Sequence, residues 1–112
     1  AQIGNLDTDG FAVPLQQAQA AGSRSGEAAV RLHRAIAIAG GSPPDWEGAF
    51  EDFERAIALF AQINARPDEA RALHAYANAL DAAGREAEGR AKLAAALAMF
   101  GEMGIGPDRI AV

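Results

Sequence analysis

The chain contains no cysteine. Disulfides and cysteine-ligated zinc are therefore excluded, and thiol content says nothing about redox compartment. Basic residues are outnumbered: 10 Lys and Arg face 15 Asp and Glu, for a net charge of −5 and a pI near 4.9. Such a balance argues against general nucleic-acid binding, which needs a basic surface to displace counterions. No apolar run approaches the roughly 20 residues that span a bilayer, and no signal peptide is evident, so membrane insertion is not expected. A cytoplasmic location is the working expectation, with the compartment left open. Aromatics are scarce, at five Phe, one Tyr and one Trp. Serines are three, Ser23, Ser25 and Ser42, all in turn-like stretches. None lies in GxSxG, and the glycines form neither GxGxxG nor a phosphate-binding loop.

What is abundant is alanine, about a quarter of the chain. Alanine is the best helix former, and its small side chain lets helices approach closely. The sequence also repeats. FERAIALFAQINARPD (53–68) returns as LAAALAMFGEMGIGPD (93–108), so Phe60 matches Phe100, Pro67 matches Pro107 and Asp68 matches Asp108 forty residues later. Arg31-Leu32-His33 likewise aligns with Ala72-Leu73-His74, forty-one residues on. Periods of this length mark stacked helical hairpins, each burying its apolar face against its neighbours. The fold expected is all-α, a single domain of about five antiparallel helices.

Residues 1–25 read as a lead-in plus a short helix over 14–21 beginning at Pro14. A helix over 26–39 is capped by Ser25 and ends at Gly40-Gly41-Ser42-Pro43-Pro44. Asp45 caps a helix over 46–63 with the stripe Trp46, Ala49, Phe50, Phe53, Ala56, Ile57, Phe60. Glu47, Glu51, Asp52, Glu54 and Arg55 cover much of the rest of it, and the acidic pairs Glu47 with Glu51 and Glu51 with Glu54 read as a solvated face rather than as acid–base partners. Further helices run from Pro67 to Gly84 and from Arg85 to Met103. Residues 26–63 and 66–103 are the two repeat units. Residues 107–112 look like the first turn of another helix, which suggests that the chain is a slice of a longer one.

ARALHAYANALDAAG followed by REAEGRAKLAAALAMF resembles the tetratricopeptide repeat. Leu73 stands at its large apolar position, and Ala77 and Asn78 at its small-residue and Asn positions. Leu80 stands at its aromatic position, Gly84 at its turn glycine, and Ala96 where its helices cross. In the first copy Trp46, Ala49, Phe53 and Ala56 fit the second helix. The two copies cover about two-thirds of the chain. The period exceeds the usual 34, with the extra residues assigned to AQINARPDEA between hairpins. In this the chain is similar to repeats in the C-terminal regions of large bacterial regulators. Glu86 and Gly89 depart from the pattern, and both are expected to weaken packing in the second copy.

The resemblance implies a non-catalytic interaction or regulatory module that binds a peptide or partner domain through its concave face. The candidate groove residues are His33, Arg71, His74, Asn78 and Asp81. Arg71, His74, Asn78 and Asp81 recur at spacings of 3, 4 and 3 and so form one polar stripe. Family members that clamp a peptide carboxylate use an Asn at the place of Asn78. They also use three repeats and mainly Lys or Arg, however, and Ala37 stands at the matching place in the first copy. His33 and His74 are read as equivalent, facing each other from neighbouring helices either as a ligand-contacting, pH-sensitive pair or merely as repeated surface residues. Neither lies in a metal-binding spacing, and no metal or cofactor is expected. Asn5 to Gly10 carries the alternating oxygens of a half calcium loop, but a turn and capping segment is preferred. Two alternatives stand beside the groove reading. One is an oligomerisation unit that packs through apolar solenoid ends at Met99, Met103, Ile105 and Ile110. The other, weaker one is a small enzyme or ligand-binding domain using His33 and His74.

Overall fold

The computed structural model describes residues 6–104, and all regular structure in that stretch is helical. Five helices follow in order: α1 (Leu6–Ala20), α2 (Arg24–Ala39), α3 (Trp46–Gln62), α4 (Arg66–Ala82) and α5 (Glu86–Glu102). The expected further helix over 107–112, and the apolar candidates Ile105 and Ile110, lie outside the described residues.

Each helix packs chiefly on its sequence neighbours. The core residues give the directions. Ala35, near the end of α2, clusters with Ala49 and Phe53 near the start of α3, and with Tyr76, Ala79 and Leu80 late in α4. Ala28, near the start of α2, clusters with Ala56, Leu59 and Phe60 late in α3, and with Ala72 early in α4. So α2 and α4 both run antiparallel to α3, and parallel to each other. A third cluster joins Ala70 and Leu73 to Ala96 and Phe100 across α4 and α5. Fully buried alanines (28, 35, 49, 56, 70, 72 and 96) stand at these crossings, where a larger side chain would separate the helices.

Local chemistry sets the ends. The hydroxyl of Ser23, rather than Ser25, caps α2 by accepting from the Gly26 amide at 3.0 Å. Asp45 caps α3 through the Gly48 amide at 3.1 Å. Three helices close through the same wrap: the amides of Ser23, Ala65 and Arg85 bond back five residues to Ala18, Phe60 and Leu80. This closure needs a left-handed residue just before the bonding amide. Gly22, Asn64 and Gly84 supply it, at φ +69°, +57° and +85°.

Several expectations change. Helix α1 begins at Leu6, not Pro14, so the backbone of residues 6–10 is helical and not the irregular lead-in or half calcium loop; residues 1–5 lie outside the described stretch. Pro14 therefore sits inside α1 and lacks the amide hydrogen that would continue its ladder. The link between α3 and α4 is only Ile63–Ala65, so the long period reflects helices of 16–17 residues and not an extended linker. Gly89 does not loosen the second copy. It is buried, and a Cβ there would lie 3.0 Å from the Ala77 carbonyl oxygen and 3.3 Å from the Asp81 amide nitrogen. Its bare backbone is what lets α5 press onto α4.

The register also changes. The second helices α3 and α5 repeat at forty residues, from Trp46 to Glu86. The first helices α2 and α4 begin at Arg24 and Arg66 and bury Ala28 with Ala70 and Ala35 with Ala77, all forty-two apart. Under that register His33 corresponds to Ala75, and His74 to Leu32. The two histidines are not structural equivalents.

Candidate functional site: the groove between α2 and α4

Helices α2 and α4 run parallel, both packed on α3 and touching each other only sparsely, so their facing sides leave a groove floored by α3. It encloses about 490 Å³. Leu32, Ile36 and Ala39 of α2 form one wall, and Trp46 and Phe53 of α3 line its floor. The α4 wall carries Arg71, His74 and Asn78, with Ala75, Ala79 and Ala82 between them. Ile36 is 49% exposed here, although the groove it lines is largely apolar.

Three of the five expected site residues thus meet in the groove. Arg71 and Asn78 are exposed on its rim and His74 is half-buried in its wall. His33 and Asp81 are both exposed and do not line it. His33 is carried away by the forty-two-residue register; Asp81 shares the stripe of Arg71, His74 and Asn78 but is not among the residues that line the groove. The partner of Asn78 across the groove is Ile36, not Ala37. Arg71 donates from Nη1 to Oδ1 of Asp68 at 3.2 Å; both ends of that pair are exposed. Among the described residues no three His, Cys, Asp or Glu side chains come together as metal ligands would.

Sequence reasoning missed a buried ion cluster joining the first three helices. By its charge the sequence sets Asp52 outside the apolar stripe of α3, yet it is 3% exposed. Arg34 grips it with two donors, Nε to Oδ2 at 2.7 Å and Nη2 to Oδ1 at 2.8 Å, and Arg31 adds Nη1 to Oδ1 at 3.0 Å. Arg31 turns its Nε to Glu27 at 2.8 Å, and Gln19 of α1 donates to the same oxygen at 3.4 Å. Arg55 stands 3.6 Å from it. Burial disfavours the Glu27 carboxylate; hydrogen bonds from Arg31 and Gln19 and the charges of Arg31 and Arg55 outweigh it, holding the carboxyl below its ordinary value. A polar cleft of about 370 Å³ opens beside Glu27, Gln19, Ser23, Arg55 and Gln62. No buried side-chain donor or acceptor among the described residues lacks a partner, so the cluster reads as a structural tie.

The second hairpin replaces that tie with another. Where the first has Arg34 and Asp52, the two registers place Tyr76 and Lys92. Lys92 Nζ lies 5.6 Å from the Tyr76 ring centroid, and the Tyr76 hydroxyl donates to Glu54 at 2.6 Å. Tyr76 also stacks on Phe53, with centroids 5.2 Å apart. Burial first, then the hydrogen bond and charge of Glu54, push the Tyr76 phenol above its ordinary range.

Comparison with family models, with curated proteins and with solved structures returns no match.

Proposed function

We propose that the chain is a tetratricopeptide-like interaction module that holds a peptide or a partner domain's helix in the groove between α2 and α4. The observation that carries this reading is the groove itself. An isoleucine half open to water, Ile36, lines the same groove as Trp46 and Phe53, framed by the polar rim Arg71, His74 and Asn78. An apolar floor with a polar rim is what peptide-binding grooves use, because the floor supplies affinity and the rim direction. The sequence resemblance and the parallel placement of the first helices support the same reading. The role is non-catalytic.

Selection from a randomised twelve-residue peptide library against the full chain tests it. Recovered peptides should lose at least tenfold in affinity for Ile36→Glu, which places a charge on the apolar wall. Peptides that bind this variant equally well reject the groove.

A second reading has its own observation. Among the described residues α5 packs chiefly on α4, and Leu97 is 41% exposed. Self-association through that face would appear as a concentration-dependent mass in sedimentation, lost in Leu97→Glu. A monomer at all concentrations sinks it.

A further inference from the structure

Polarity is distributed unevenly along the groove. Both walls run the same way, so distance along α4 measures position in it. Arg71 and His74 stand at one end. At the other, the ends of α2 and α4 bring Ala39 and Ala82 beside Trp46 at the start of α3. Asn78 lies between. The eleven residue steps of helix from Arg71 to Ala82 span about 16 Å. The twelve residues that line the groove include no carboxylate, in a chain with 15 Asp and Glu. Its only charged or titratable groups are Arg71 and His74, both at the same end. The Asp68 partner of Arg71 engages one Nη atom in an exposed pair, which holds the guanidinium weakly and leaves its fork able to turn to another carboxylate.

We propose that the groove takes a polypeptide segment carrying an acidic side chain and a large apolar side chain about four residues apart. The carboxylate sits at Arg71 and His74, and the apolar group sits against Trp46. This rests on the groove reading above and adds the partner's chemistry and its orientation. The spacing follows from the groove. Roughly 12–16 Å between the two ends corresponds to four or five residues of extended chain at about 3.3 Å each. Arg71 offers a planar fork to a carboxylate, and Asn78 offers an amide to the backbone between the two anchors. No free chain terminus is needed.

The test uses peptides recovered in the library selection, resynthesised with acetylated and amidated ends so that no terminal charge remains. Trp46 is the only tryptophan, so its emission reports on the apolar end directly. With the wild-type chain, replacing the peptide's acidic residue by Gln should weaken binding about 5- to 20-fold while the saturating change in Trp46 emission persists. With the Arg71→Ala, His74→Ala double variant the acidic and Gln peptides should bind alike. Both side chains are on the groove rim or wall, and circular dichroism checks that the variant keeps its helices. If the Gln peptide binds the wild type equally well, or a Lys peptide binds better, the acidic-end assignment is overturned while the groove survives. If binding is insensitive to Ile36→Glu and Trp46 never responds, the groove reading falls as well.

Discussion

Asp52 shows how far a single residue departs from its type. It lies three residues after Ala49 and four before Ala56, on the apolar stripe of α3, and the stripe's spacing alone marks it as inward-facing. Its charge argued for solvent, and only the arrival of Arg31 and Arg34 from α2 resolves the conflict. Those arginines are themselves legible once the forty-two-residue register is known, because they stand where the second hairpin has Leu73 and Tyr76. Removing one partner from a buried pair leaves uncompensated charge. Asp52→Ala should therefore cost about 3–5 kcal/mol in chemical denaturation. Lys92→Ala, which removes the corresponding cation over Tyr76, should cost only about 0.5–1 kcal/mol. Similar losses for the two would contradict this ranking. Glu27 ties stability to acid. Its folded carboxyl titrates below the ordinary value of 4.5, so the unfolded chain takes up the proton first as pH falls. Its contribution is complete above pH 4.5 and disappears as pH drops through the folded value. The acid-side loss of stability should be shallower in Glu27→Gln. Tyr76 has the opposite sign: its phenol is raised above the ordinary 10.0, so the stability it supplies is present below pH 10.0 and fades as pH rises beyond. It is the only tyrosine, so absorbance near 295 nm follows it alone. Ionisation at an ordinary pH in the folded chain would contradict its burial and its bond to Glu54.

At the scale of elements, the helices were readable in the sequence to within a few residues because punctuation is strong. Gly22, Gly84 and the Gly40–Pro44 run stop them, Asp45 starts α3, and alanines fill them. The start of α1 was not legible. Pro14 is an ordinary first-turn residue, and no sequence signal says that here it interrupts a helix already under way. Gly89 was misjudged for a related reason, since sequence shows that a side chain is missing but not that backbone fills its place. Gly89→Ala gains helix propensity of about 1 kcal/mol but presses a methyl against the carbonyl and amide of α4, neither of which can rotate away. A net loss of about 1–2 kcal/mol is expected in thermal or chemical denaturation. Gly101→Ala, on the same helix with nothing within 4 Å, is the control and should be neutral or stabilise by up to about 1 kcal/mol. If both glycines behave alike, close approach of α5 to α4 is not what Gly89 provides.

For the molecule as a whole, the repeat made the fold class legible, but a one-residue slip in its register altered the site. Matching Leu32-His33 with Leu73-His74 follows letters. Matching Ala28 with Ala70 and Ala35 with Ala77 follows burial, and burial decides which face each residue presents. A shift of one residue turns a helical side chain by about 100°, so His33 leaves the wall that His74 keeps. Arg71, His74 and Asn78 survived the slip because they belong to one helix, whose internal spacing needs no partner. Ile36, Trp46 and Phe53 were recognisable as apolar, yet the groove they share with α4 exists only once α2 and α4 lie parallel across α3. The groove, rather than the outer face of α5, is the proposed place where the molecule meets a partner. The most direct measurement is amide chemical-shift mapping of the full chain during titration with a library-selected peptide. If the groove binds the peptide, the largest changes fall on residues 32–40 and 71–82 and on the Trp46 indole, and they vanish in Ile36→Glu. Changes centred on Leu97 and the rest of α5, with the groove silent, would contradict it.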